Sequence, residues 1–132
     1  MTLRIFLVIA AIVFAIAGLG FLLVPGECLS SLNLASDPGG IVFGRIAGQG
    51  FIGLAIAFWY ARNAEMSFEL SPALKGVLYG GCSFNVLGVI VAGWATIAGQ
   101  IGALGWVAVI VHLVLALGFI YFAELKRSAV RA

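Results

Sequence analysis

Residues 76–123 read GVLYGGCSFNVLGVIVAGWATIAGQIGALGWVAVIVHLVLALGFIYFA, with no Asp, Glu, Lys or Arg among them. A helix needs about 20 apolar residues to cross a hydrocarbon core roughly 30 Å thick, and this run is about twice that length. It must therefore turn back on itself. The glycine-polar break Gly99-Gln100-Ile101-Gly102, near its middle, is the place to turn. That reading gives one span over 73–98 and another over 103–123. Strands of a membrane barrel are excluded, because no segment alternates apolar and polar residues.

Toward the N-terminus, ARNAEMSFELSP (61–72) is a polar connection that ends on Ser71-Pro72. A capping residue followed by proline is a helix start, since proline in the first turn forfeits no hydrogen bond. Asp37-Pro38 repeats the signal and opens a span over 41–60. Before it lies PGECLSSLNLASDPGG (25–40), rich in turn formers, where Leu29 and Leu32 are spaced to rest one helical turn on the membrane surface. The first span covers 5–24 and carries no charge. It is longer than the apolar core of about 7–15 residues in a secretory signal, so a retained span is expected. Glu27, directly before Cys28, argues against a lipoprotein anchor there.

Composition agrees with this layout. Of 132 residues, 64% are hydrophobic and 9% are charged, against about 25% charged in soluble domains. Mean hydropathy is +1.21. The expected fold is a single all-α domain over 1–132, an integral-membrane four-helix bundle. A net charge of +2 is too small to suggest nucleic acid as a partner. Cys28 and Cys82 fall at different depths, which disfavours a disulfide, and no Cys/His cluster offers a metal site.

Charge placement sets the threading. Arg4, Arg62, Lys75, Lys126, Arg127 and Arg131 share one side of a four-span chain, and the loops opposite hold Glu27 and Asp37 without Lys or Arg. The positive-inside bias puts both termini in the cytoplasm, with a bacterial inner membrane as the expected location. Trp59, Tyr60, Tyr79 and Tyr121 fall toward the inner interface, and Trp94 and Trp106 toward the outer.

Few polar residues lie inside the spans. Gly40, Gly44 and Gly48 form a ridge on the second span, suited to close helix packing. Gly81, Asn85, Gly88, Ala92 and Thr96 form a stripe on the third, and Gly105, Ala108, His112, Ala116 and Phe119 one on the fourth. Gln49 and His112 fall roughly 12 Å below the outer edge and Asn85 somewhat deeper. Arg45, Gln49, Asn85 and His112 are thus the candidate polar cluster. Buried amides and imidazoles need partners, so the cluster reads as interhelical bonding. Intramembrane ionisable groups also mark function, so a ligand or proton role stays open. A neutral His112 offers one donor and one acceptor, to Asn85 or to a quinone or lipid. Arg45 is expected to face other helices, point outward and pair with Glu27 or Asp37. Attraction of an anionic head group is the alternative.

GGIVFGR (39–45) resembles the glycine-glycine…glycine-x-x-arginine opening of Fluc-type fluoride channels, themselves small four-span proteins. Here the piece lies on the second span, the family's Thr-Thr-Phe-Ser track is missing, and the charge bias opposes dual topology. The layout as a whole, with ALGWVAVIVHLVLALGFIYF (103–122) as last helix, resembles small bacterial membrane proteins of the DoxX-like type. The usual Arg-Gly-Gly-Lys spacing is absent from the first helix. That resemblance implies a four-helix fold and no catalytic residue.

No carboxylate sits within a span to exchange protons for a cation, and no nucleophile elbow or phosphate loop is present. The expected role is a non-enzymatic membrane protein: a lipid- or quinone-contacting subunit, or an accessory of a larger complex. No cofactor is expected beyond such a bound lipid or quinone. An oligomeric small-ion or small-molecule channel is the first alternative. A membrane enzyme acting on an apolar substrate through His112 is the second.

Overall fold

The computed structural model describes residues 1–64 and 70–125. The protein is all-α, and among the described residues four helices are long and apolar enough to cross a membrane. In chain order the elements are α1 (Leu3–Leu23), α2 (Pro25–Ser31), α3 (Pro38–Ala61), α4 (Pro72–Ile97) and α5 (Gly105–Ile120). A π-helical turn, Tyr121–Leu125, continues α5. Lys126, Arg127 and Arg131 of the basic set lie outside the described residues.

Local chemistry starts each long helix. Asp37 Oδ1 accepts the Gly40 N–H at 2.7 Å, and Ser71 Oγ the Leu74 N–H at 3.2 Å. Thr2 Oγ1 does the same for Ile5 at 3.3 Å. Each bond satisfies one of the donors a helix start leaves free. The hairpin turn is equally defined. Gly99 takes φ +70°, its N–H reaches Thr96 O at 3.1 Å, and the Gln100 N–H reaches Ala95 O at 2.8 Å. This is a Schellman ending, which needs a residue comfortable in the left-handed region.

The expected surface turn is a two-turn helix, α2, with Pro25 and Leu29 on its buried face. Asn33 ends it at φ +58°, with the Asn33 N–H on Ser30 O and the Leu34 N–H on Leu29 O. That is a second Schellman ending, with asparagine in the left-handed position. The Gly102 N–H then donates to Leu32 O at 2.9 Å. α2 is thereby tied to the α4–α5 turn, across one end of the bundle.

The long helices pair as two hairpins, α1 with α3 and α4 with α5. The pairs are built differently. In the first, backbone meets backbone: a Cβ on Gly48 would lie 2.8 Å from Gly18 O, and one on Gly18 would lie 3.0 Å from Gly48 O. In the second, glycines are sockets for rings. A Cβ on Gly88 would meet the His112 imidazole at 2.6 Å, and one on Gly81 the Phe119 ring at 2.6 Å. Of the ridge read from sequence, Gly44 and Gly48 are buried against α1 and α2, while Gly40 packs on the Ala35 carbonyl.

A column of phenylalanines joins the hairpins. Phe58 and Phe119 centre 4.9 Å apart, Phe6 and Phe119 4.8 Å, and Phe14 lies 5.5 Å from both Phe58 and Phe84. Phe6 also contacts Phe122 at 5.3 Å. Such ring pairs add about 0.5–1.5 kcal/mol each beyond the area they bury. Phe6 thus fastens α1 to α5 at the end where α1 begins. At the same end the Tyr79 hydroxyl donates to the Glu124 carboxylate.

A candidate lipophile site at His112

Asn85 is fully buried (0% exposed) on the α4 face that meets α5. Its amide is used on both sides. Nδ2 donates to Gly81 O one turn back at 2.8 Å, and Oδ1 lies 2.9 Å from His112 Nδ1. The Gly81 carbonyl can only accept, so the Asn85 group facing it is the NH₂ and the group facing His112 is the oxygen. His112 Nδ1 is therefore the donor of the pair. Gly88 supplies the socket for the imidazole, and Phe84 flanks the ring at a centroid distance of 6.0 Å.

His112 also lines a cavity of about 510 Å³. α1 contributes Val13, Phe14, Ile16, Ala17 and Phe21; α3 contributes Phe51. Val107, Ala108, Val111, His112 and Leu115 of α5 form the opposite wall, with Leu104 just before them. Cys28, Ser31 and Leu32 come from α2. Phe6 fastens α1 to α5 at the end where α1 begins, and the cavity lies between the same two helices toward α2. Ile16 and Val107 are 68% and 55% exposed, so the cavity opens sideways, between helices long and apolar enough to cross a membrane. Its volume is in the ordinary range for a small-molecule pocket, about 300–1,000 Å³.

The polar groups on its wall are few. Besides His112 they are the Cys28 thiol, which is free, and Ser31, whose hydroxyl donates to Cys28 O at 2.7 Å. Among the described residues no group of three His, Cys, Asp or Glu side chains could hold a metal ion. A smaller groove of about 370 Å³ runs between α1 and α3, lined by Ile12, Ile52, Ile56 and Trp59 among others. It presents no polar side chain apart from the Trp59 indole and the Tyr60 hydroxyl.

The polar cluster read from sequence is divided. Asn85 and His112 meet; Gln49 and Arg45 do not join them. Both are exposed on α3 and neither forms a hydrogen bond or ion pair among the described residues. The inward stripe of α3 runs Gly44, Gly48, Ala55 and Phe58. Arg45 and Gln49 each follow a stripe residue by one position, about 100° around the helix, which turns them outward. The expected pairing of Arg45 with Glu27 or Asp37 is not made: Asp37 caps α3, and Glu27 has no partner among the described residues. Sequence reading also missed the Tyr79–Glu124 bond. Its only signal is that Glu124 is the first charge after the long apolar run, at the end where α4 begins.

Comparison with protein-family models, with curated proteins and with solved structures finds no significant match. Fold and composition define the class: a small all-α, multi-span membrane protein.

Proposed function

We propose that the protein is a non-enzymatic membrane protein that receives a lipophilic molecule, a lipid or quinone, from the bilayer into the space between α1 and α5. The observation that carries this reading is the sideways-opening cavity with a single imidazole on its wall, held in place by Asn85. Apolar walls accept a chain or ring, and one oriented polar group fixes its head, which is how small-molecule sites are usually built. General acid–base chemistry needs a route for the proton. Cys28 is the other titratable side chain on this wall, which favours holding over turnover.

In the same reading the end where α1 begins faces the cytoplasm, because Arg4, Arg62 and Lys75 lie there and α2 carries Glu27 at the other end. Native mass spectrometry of the protein released from nanodiscs tests the binding role: one retained lipophile per chain is expected. An impermeant thiol reagent added outside should label Cys28 and spare Cys82; labelling of Cys28 only from the inner face would reverse the threading.

A second reading, an oligomeric channel, draws on Gln49. This amide stands at the middle of the 24-residue helix α3 and faces outward, where a polar group needs a partner from beyond its own chain. Ion flux from reconstituted vesicles that is lost in Gln49→Leu would favour it.

A further inference from the structure

We infer that the cavity selects a lipophile bearing a hydroxyl group, donated to His112 Nε2. This rests on the lipophile-holding reading above and narrows it to one ligand chemistry.

The Gly81 carbonyl takes the Asn85 amide hydrogen at 2.8 Å, so Asn85 presents oxygen to His112 across 2.9 Å. An oxygen there requires the imidazole hydrogen on Nδ1. An uncharged ring so protonated has a bare lone pair on Nε2, which can only accept. Nε2 has no hydrogen-bond partner among the described residues, and no buried, unpaired polar side-chain atom exists among them. Nε2 therefore stays open, on a residue that lines the cavity. The second bond of the ring fixes which nitrogen meets the ligand and in which sense.

The walls beside it give a long apolar molecule room for its body, with the mouth at Ile16 and Val107 opening to lipid. A ligand whose head is a carbonyl or an ether oxygen brings a second acceptor to Nε2 and leaves both lone pairs unpaired in an apolar place. A ligand whose head is a hydroxyl brings the missing hydrogen. Two sources share that chemistry: a long-chain alcohol, and a reduced quinone, whose ring oxygens carry hydrogens that the oxidised form lacks.

Four probes separate the outcomes, each titrated into the full chain in nanodiscs. They are a long-chain primary alcohol, its methyl ether, a short-tailed benzoquinol and the matching benzoquinone. The alcohol should bind about tenfold tighter than its ether, and the quinol about tenfold tighter than the quinone, as expected for one hydrogen bond made or left unmade. The larger of the two affinities identifies the source of the hydroxyl. His112 is the only histidine in the chain, so nitrogen NMR of histidine-labelled protein reads its ring without ambiguity. Nδ1 should appear protonated and Nε2 bare, and Nε2 should shift when the alcohol is added. Val111→Phe fills part of the cavity from its α5 wall without replacing either partner of the Asn85 bond; it should weaken all binding at least tenfold and leave the ring signals of the unliganded protein unchanged.

Equal affinity for alcohol and ether overturns the hydroxyl preference while leaving the lipophile-holding role intact. So does a proton found on Nε2 with Nδ1 bare. Failure of all four probes to bind overturns the holding role itself.

Discussion

His112 Nδ1 lies 2.9 Å from Asn85 Oδ1, and this bond joins α4 to α5 at the edge of the cavity. Its partner groups are constrained from behind: Asn85 by the Gly81 carbonyl and His112 by the socket at Gly88. Truncating either residue strands the other. Asn85→Ala or His112→Ala alone should lower stability by about 1–3 kcal/mol, the cost of a buried polar group left unmade. The double variant should cost clearly less than the sum, because neighbours in one bond are coupled. Unfolding by detergent titration in mixed micelles measures all three. Losses that add in full would show that the two side chains do not interact.

A packed glycine and an open one on α3 predict opposite responses to substitution. Gly48→Leu forces a side chain into the Gly18 carbonyl, 2.8 Å from where its Cβ would stand. It should destabilise by about 1–3 kcal/mol, as overpacking does. Gly53, on the same helix, has nothing within 4 Å of an added Cβ. Gly53→Ala should be neutral or stabilising by up to about 1 kcal/mol, from helix propensity. Thermal melts of the two variants in one detergent decide it; equal losses would place the α1–α3 contact elsewhere on α3.

Gln49 faces outward at mid-helix with no partner among the described residues. Gln49→Leu should therefore raise the melting temperature of the monomer in lipid, by a gain of about 1 kcal/mol from removing an unpaired amide. A clear loss of stability would mean that the amide bonds within the chain or across an interface. Arg45 makes no ion pair with Glu27, so Glu27→Gln should change stability by less than about 0.5 kcal/mol. A matching loss in Arg45→Gln and Glu27→Gln would restore the outer clamp that the sequence suggested.

The four long helices were legible because lipid imposes a blunt rule. Apolar length with little charge can be counted, and Asp37-Pro38, Ser71-Pro72 and the Gly99 turn punctuate it. The facing stripes of α4 and α5 were legible too, since Asn85 and His112 fall among small residues at helical spacing. Facing direction on α3 was not. The ridge Gly44–Gly48 was visible, but a polar residue one position along reads as a neighbour of the ridge until the partner helix is known. α1 is that partner, and its contact is narrow enough to leave Arg45 and Gln49 outside. α2 was under-read because seven residues give little periodicity; its length depends on the Asn33 ending and on the Gly102–Leu32 bond. The cavity had no sequence signature. Its walls come from α1, α2, α3 and α5, which only the tertiary fold brings together.

The most direct test of the account is where a membrane lipophile touches the chain. A photoreactive, alkyl-chain alcohol reconstituted with the protein in nanodiscs should, on illumination, attach to residues of the cavity wall. Peptides holding Val13–Ala17 of α1 and Val107–His112 of α5 should carry the adduct, and Val111→Phe should remove it. Adducts spread evenly over the exposed residues of α4, such as Ile90 and Trp94, with no excess at the cavity and no change in Val111→Phe, would contradict it.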